Sequence, residues 1–117
     1  MIYDITKKKI IIKKIKLADT SFKQGLGLMF SRRSRFNYCL IFPRPYSSII
    51  GSSIHMMFVF YPITVVFLDD KKRVVDIIKK AKPFRLFYNP KKPAKYILEL
   101  PITTNINFVK INDKLKW

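Results

Sequence analysis

The stretch PYSSIIGSSIHMMFVFYPITVVFL, residues 45–68, contains no Lys, Arg, Asp or Glu in a chain that carries charge almost everywhere else. It is longer than the roughly 18 apolar residues that can cross a bilayer core, so length alone suits a membrane helix. Its chemistry does not. Pro62 breaks a helical hydrogen-bond ladder near the end of the run, and Ser47, Ser48, Gly51, Ser52 and Ser53 weaken its beginning. What remains, IHMMFVF and ITVVFL, is rich in β-branched and aromatic residues, and a residue before proline is biased away from the helical region. Two strands separated at Tyr61-Pro62 are therefore expected.

The sequence that follows extends this reading. VVFL, the charged turn Asp69-Asp70-Lys71-Lys72, and RVVDII have the form of a β-hairpin. Both apolar runs occupy consecutive positions, which predicts strands covered on both faces at the centre of a sandwich or barrel. Upstream, KIIIKKIKL (9–17) reads as one long strand with Met1–Ile5 beside it. In ADTSFKQGLGLMF (18–30) the period changes, with Phe22, Leu26 and Met29 on one helical stripe and Asp19 or Thr20 as the cap. Then come a basic loop, SRRSRF (31–36), a strand, NYCLIF (37–42), and a Pro, Ser and Gly connection, PRPYSSIIGSS (43–53). Pro83, Pro90 and Pro93 turn residues 79–95 into a long surface loop with room for a short strand at RLFY (85–88). YILELP (96–101) and DKLKW (113–117) complete a set of short strands. The expectation is one domain over residues 1–117, mainly β, a compact sandwich or barrel with one or two short helices.

Charge narrows the function. Lys and Arg number 24 against 7 acids, a net charge of +17, while 49% of residues are hydrophobic, enough for a packed core. Habitats that enrich Lys enrich Glu as well, to build ion-pair networks, yet Glu99 is the only glutamate. The excess is unpaired positive surface suited to a polyanion. Cys39 is the only cysteine, which excludes an intrachain disulfide and a thiolate metal cluster. The N-terminal MIYDITKKKIIIKKIK sets only three consecutive Ile between lysines, short of a signal-peptide core, so a cytoplasmic protein is expected.

GLMF at 27–30, SIH at 53–55, PITVVFLDD at 62–70 with Val74 after the turn, Lys82-Pro83, and YILELP at 96–101 occur in an order that resembles uncharacterised protein family 0127, also called domain of unknown function 192. The resemblance runs from about Leu17 to Trp117. It implies a compact, mainly β fold and no activity. Thr64 stands where relatives usually have Asp in PIDVVFLD, and Val59-Phe60 replaces a more polar pair.

Few residues invite chemistry. His55 is the only histidine, which excludes a His-based zinc site. Asp69 and Asp70 sit in a turn beside Lys71, Lys72 and Arg73, where aspartates bond nearby backbone rather than a metal. No catalytic, cofactor or metal residue is assigned. The basic segments are stronger signals, because cations neutralise phosphates while exposed rings stack on unpaired bases. They predict a non-enzymatic module that binds RNA or single-stranded DNA through Lys7–Lys9, Arg32, Arg33, Arg35, Lys79, Lys80, Arg85, Lys91 and Lys92, with Phe87 as a stacking ring. The alternative is a small-molecule or enzymatic pocket near His55 and Glu99, two polar residues in apolar strands.

Overall fold

The computed structural model describes residues 1–18, 32–52, 54, 56, 59–84 and 88–117. The hairpin forms as its sequence requires. Asp69 Oδ1 accepts the backbone N–H groups of Lys71 and Arg73, both at 2.9 Å, and Lys72 takes φ 61°, which reverses the chain between Ile63–Leu68 and Val74–Ala81. Numbered in chain order, the strands are β1 (Ile2–Asp4), β2 (Lys9–Ile12), β3 (Ile15–Leu17), β4 (Cys39–Ser48), β5 (Ile63–Leu68), β6 (Val74–Ala81), β7 (Ala94–Pro101) and β8 (Leu115–Lys116). They form a three-stranded sheet, β2-β1-β8, and a five-stranded sheet, β3-β4-β7-β5-β6. The described helical structure is two 3-10 turns, Arg33–Arg35 and Ile50–Ser52.

The larger sheet is buried on both faces, which explains the unbroken apolar runs. All six residues of β5 are buried. On one face Val66, Leu68, Leu98, Leu100, Cys39 and Ile41 pack against Ile2 and Leu115 of the smaller sheet, with Ile106 and Val109 of the loop between β7 and β8. On the other face Leu40, Phe42, Ile63, Val65, Phe67 and Ile97 are covered by Phe36, Ile54, Met56, Val59, Tyr61 and Tyr88.

Four expectations change. Residues 9–17 are two strands in different sheets, because the chain crosses between layers at the exposed Lys13-Lys14 and enters β3, which pairs parallel with β4. PRPYSS continues β4 rather than ending it. The β4–β7 register slips between Pro43 and Ser48, and such a bulge accommodates prolines that cannot donate to a ladder. The described part of IHMMFVF forms no regular strand. Ile54 makes a lone bridge to Tyr88, and the Val59 N–H turns back to Met56 O at 3.1 Å, so these residues cap a sheet face without joining it. β6 lies at the sheet edge, paired on its outer side only near its start, where Val74 bonds Asn112 and Asp113. The helix expected over 18–30 lies, beyond Ala18, outside the described residues. Among the described residues no helix is long and apolar enough to cross a membrane.

Candidate functional site

The acids explain where the positive charge lies. Asp4, Asp76, Glu99 and Asp113 are all buried, four of the seven acids, and the ion pair found among the described residues is Lys7–Asp113. More than half of the acids are thus spent inside the fold, and most of the described cations face solvent.

One end of the five-stranded sheet carries five of the predicted cations. There β4 begins, β7 ends, β5 begins and β6 ends, as the pairs Leu40↔Glu99, Ile63↔Pro101 and Ile63↔Ala81 require. Arg32, Arg33 and Arg35 are exposed on the 3-10 turn just before β4, anchored by buried Phe36, whose N–H donates to Arg33 O at 3.1 Å. Lys79 and Lys80 are exposed at the end of β6 in a bulge, two residues facing the single Thr64 of β5. Buried Thr64 holds that bulge by donating its hydroxyl to Lys79 O at 2.9 Å.

Two rings stand out at this end. Phe60 is 58% exposed and Phe84 53% exposed, and they meet edge to face at 5.2 Å. Phe84 is fixed at φ 63° with its N–H on Met56 O at 2.8 Å, a backbone conformation that a bulky residue rarely adopts. The sequence pattern placed Phe60 inside an apolar run and so missed it. The signal available was its position beside Tyr61-Pro62, where that run leaves one layer for the next.

Other predicted residues lie elsewhere. Lys91 and Lys92 are exposed near the start of β7, and the Lys91 N–H donates to buried Asp76 Oδ2 at 3.1 Å. Asp76 pairs in register with Phe67, three residues along β5 from Thr64, which faces Lys79 and Lys80. At 3.3 Å per residue, the two lysine pairs are separated by about 10 Å along the sheet. Lys7 is committed to Asp113. Arg85, Phe87 and His55 lie outside the described residues.

Glu99 sits on the middle strand of the sheet, between Leu40 on β4 and Val65 on β5, 6% exposed. Burial pushes its carboxyl up from 4.5 to about 8, which leaves it predominantly protonated at neutral pH. Beyond it, the same face reaches Pro101 and a cleft of about 490 Å³. Arg33, Ser34 and Phe36 form one wall, and Tyr61 and Pro62 form the second. Pro101, Ile102 and Thr103 close the third side. Phe36 and Tyr61 pack with ring centroids 5.8 Å apart. Glu99 is not among the residues lining this cleft, and His55 lies outside the described residues.

Fold and site together define a small cationic β domain without a transmembrane helix among its described residues. The chain belongs to the DUF192 family, described as an uncharacterized ACR, whose profile matches residues 3–117. It is 41% identical to a UPF0127 protein of Thermococcus sibiricus, covering all of this chain and 74% of that protein. It is 43% identical to a UPF0127 protein of Pyrococcus furiosus over 97% of this chain and 95% of that one. A crystal structure of a protein of unknown function from Novosphingobium aromaticivorans matches with a TM-score of 0.75 and 25% identity, covering 88% of this chain and 74% of that one.

Proposed function

We propose that this protein is a binding module for single-stranded nucleic acid, and that its contact surface is the sheet end bearing Arg32, Arg33, Arg35, Lys79 and Lys80. The exposed Phe60–Phe84 pair carries the reading. Two large rings left in solvent at a sheet end that carries two cationic segments supply both parts of a single-strand site, phosphate neutralisation and a face on which a base can stack. Phe60 and Phe84 take the stacking role that the sequence had suggested for Phe87. No base specificity is implied, because lysine and arginine contacts to phosphate position a strand without reading it.

The test is fluorescence anisotropy of a labelled oligonucleotide at two salt concentrations. Affinity falls steeply with salt, and Phe84→Leu, which stays apolar but loses the flat ring, costs about 1–3 kcal/mol. Lys79→Ala/Lys80→Ala weakens binding more than Lys91→Ala/Lys92→Ala. Equal losses for the two lysine pairs, with no effect at Phe84, would reduce the interaction to generic charge attraction, and absence of binding at low salt eliminates the function.

A further inference from the structure

We propose that the cleft between the Arg33–Arg35 turn and the Tyr61-Pro62 step is a small-molecule site, and that its ligand is an aromatic or alicyclic carboxylate held at its charged end by Arg33. Size comes first. A volume of about 490 Å³ lies within the range of small-molecule sites, room for a body of one or two rings. The walls then define the body. Phe36 and Tyr61 are 6% and 5% exposed and already packed against each other, and the pyrrolidine rings of Pro62 and Pro101 fix the backbone on either side. A cleft built this way is largely pre-formed and apolar, so it gains most from a flat or cyclic hydrocarbon.

Charge defines the head group. Among the described lining residues Arg33 carries the only charge, no acid opposes it, and Ser34 and Thr103 supply the hydroxyls. A guanidinium presents two parallel N–H donors, the geometry that matches a carboxylate. Inorganic phosphate would satisfy Arg33 and leave the apolar walls in water. A neutral ring compound would fill the walls and leave Arg33 without a counter-charge. Further inward, the sheet face offers Val65, Leu40 and Glu99 and no described cation, so the carboxylate is directed outward to Arg33 and the ring inward.

This site shares Arg33 with the proposed strand-binding surface but otherwise rests on the buried rings of the cleft, Phe36 and Tyr61, and not on the exposed pair at Phe60 and Phe84. The experiment is an NMR titration of the full chain with 1-naphthoate and, in parallel, with its neutral isostere 1-naphthamide. Saturable shifts are expected at Arg33, Ile102 and Thr103 with naphthoate, and binding of the amide is weaker by about ten- to a hundredfold, the usual worth of a charge-assisted pair. Arg33→Gln abolishes that preference while leaving weak binding of both ligands. Phe84→Leu leaves naphthoate binding unchanged, which separates this result from the oligonucleotide experiment. Equal binding of acid and amide, no effect of Arg33→Gln, or no saturation at millimolar ligand overturns the proposal.

Discussion

Lys7 Nζ lies 2.8 Å from Asp113 Oδ1 and 2.9 Å from Oδ2, while the backbone N–H of the same lysine donates to Asp4 Oδ1 at 3.0 Å. One residue thus joins two buried carboxyls, and the two divide their proton unequally. Burial and the neighbouring Asp113 raise the Asp4 carboxyl. Burial pushes Asp113 the same way, but hydrogen bonds from Asp4, Lys7 and the Lys110 N–H outweigh it and hold Asp113 below 3.8.

Lys7→Met removes the only ammonium from this pair and is expected to cost about 1–3 kcal/mol at neutral pH, read as a lower urea midpoint. Because the folded Asp113 is held low, its contribution is present above 3.8 and lost as pH falls through the depressed value. Wild type and variant therefore converge in acid. Equal midpoints at pH 7 would show that the pair contributes nothing.

Glu99 imposes the opposite pH dependence. Its raised pKa means that the folded chain keeps a proton the unfolded chain has released, so the contribution is full below 4.5 and is lost as pH rises toward about 8. Through that window stability declines by up to about 1.4 kcal/mol per pH unit. Glu99→Gln retains the shape and cannot ionise, so its urea midpoint changes less with pH and exceeds that of wild type in mild alkali. A parallel decline in both proteins would mean that another group is responsible.

Thr64 offers a test of how the β6 bulge is held. Its hydroxyl donates to Lys79 O across the bulge. Thr64→Val loses that bond and costs about 1–2 kcal/mol in thermal unfolding. Thr64→Asp sets a carboxylate against that carbonyl and costs more at neutral pH than in acid. If it melted with the wild type, the bulge would not depend on a donor at this position.

Lys79 and Lys80 also protect an edge. β6 ends the sheet, and a bulge carrying two exposed lysines discourages a second copy from pairing there. Lys79→Val/Lys80→Val is expected to form dimers or larger species in light scattering at concentrations where wild type forms none. A scattering mass equal to that of wild type would remove the protective role.

The hairpin and the central burial of β5 were legible because a run such as Ile63–Leu68 has one stable use, a strand covered on both sides. The prolines of β4 misled because a bulge can absorb them, and bulges depend on the partner strand rather than on local sequence. The cationic segments were legible as charge. Their placement at one end of the sheet was not, since the Arg33 and Lys79 segments are brought to that end only by the order β4-β7-β5-β6. Glu99 stood out as a polar residue between Leu98 and Leu100 in YILELP, and it is buried on the middle strand, whereas the cleft needed Phe36, Tyr61 and Pro101 from three separate segments.

That strand order also governs how the chain must assemble. β4 and β5 are consecutive long strands, yet β7 lies between them and is made only after residue 93. A nascent chain stalled before Ala94 carries two apolar strands, each with a ladder edge awaiting the same missing partner. Such edges attract one another and other chains. The β5–β6 hairpin can close early as a local nucleus, but the sheet becomes continuous only when the last long strand inserts, so folding is late and long-range. Translational pauses upstream of residue 94 are therefore the interval in which this protein most needs a chaperone.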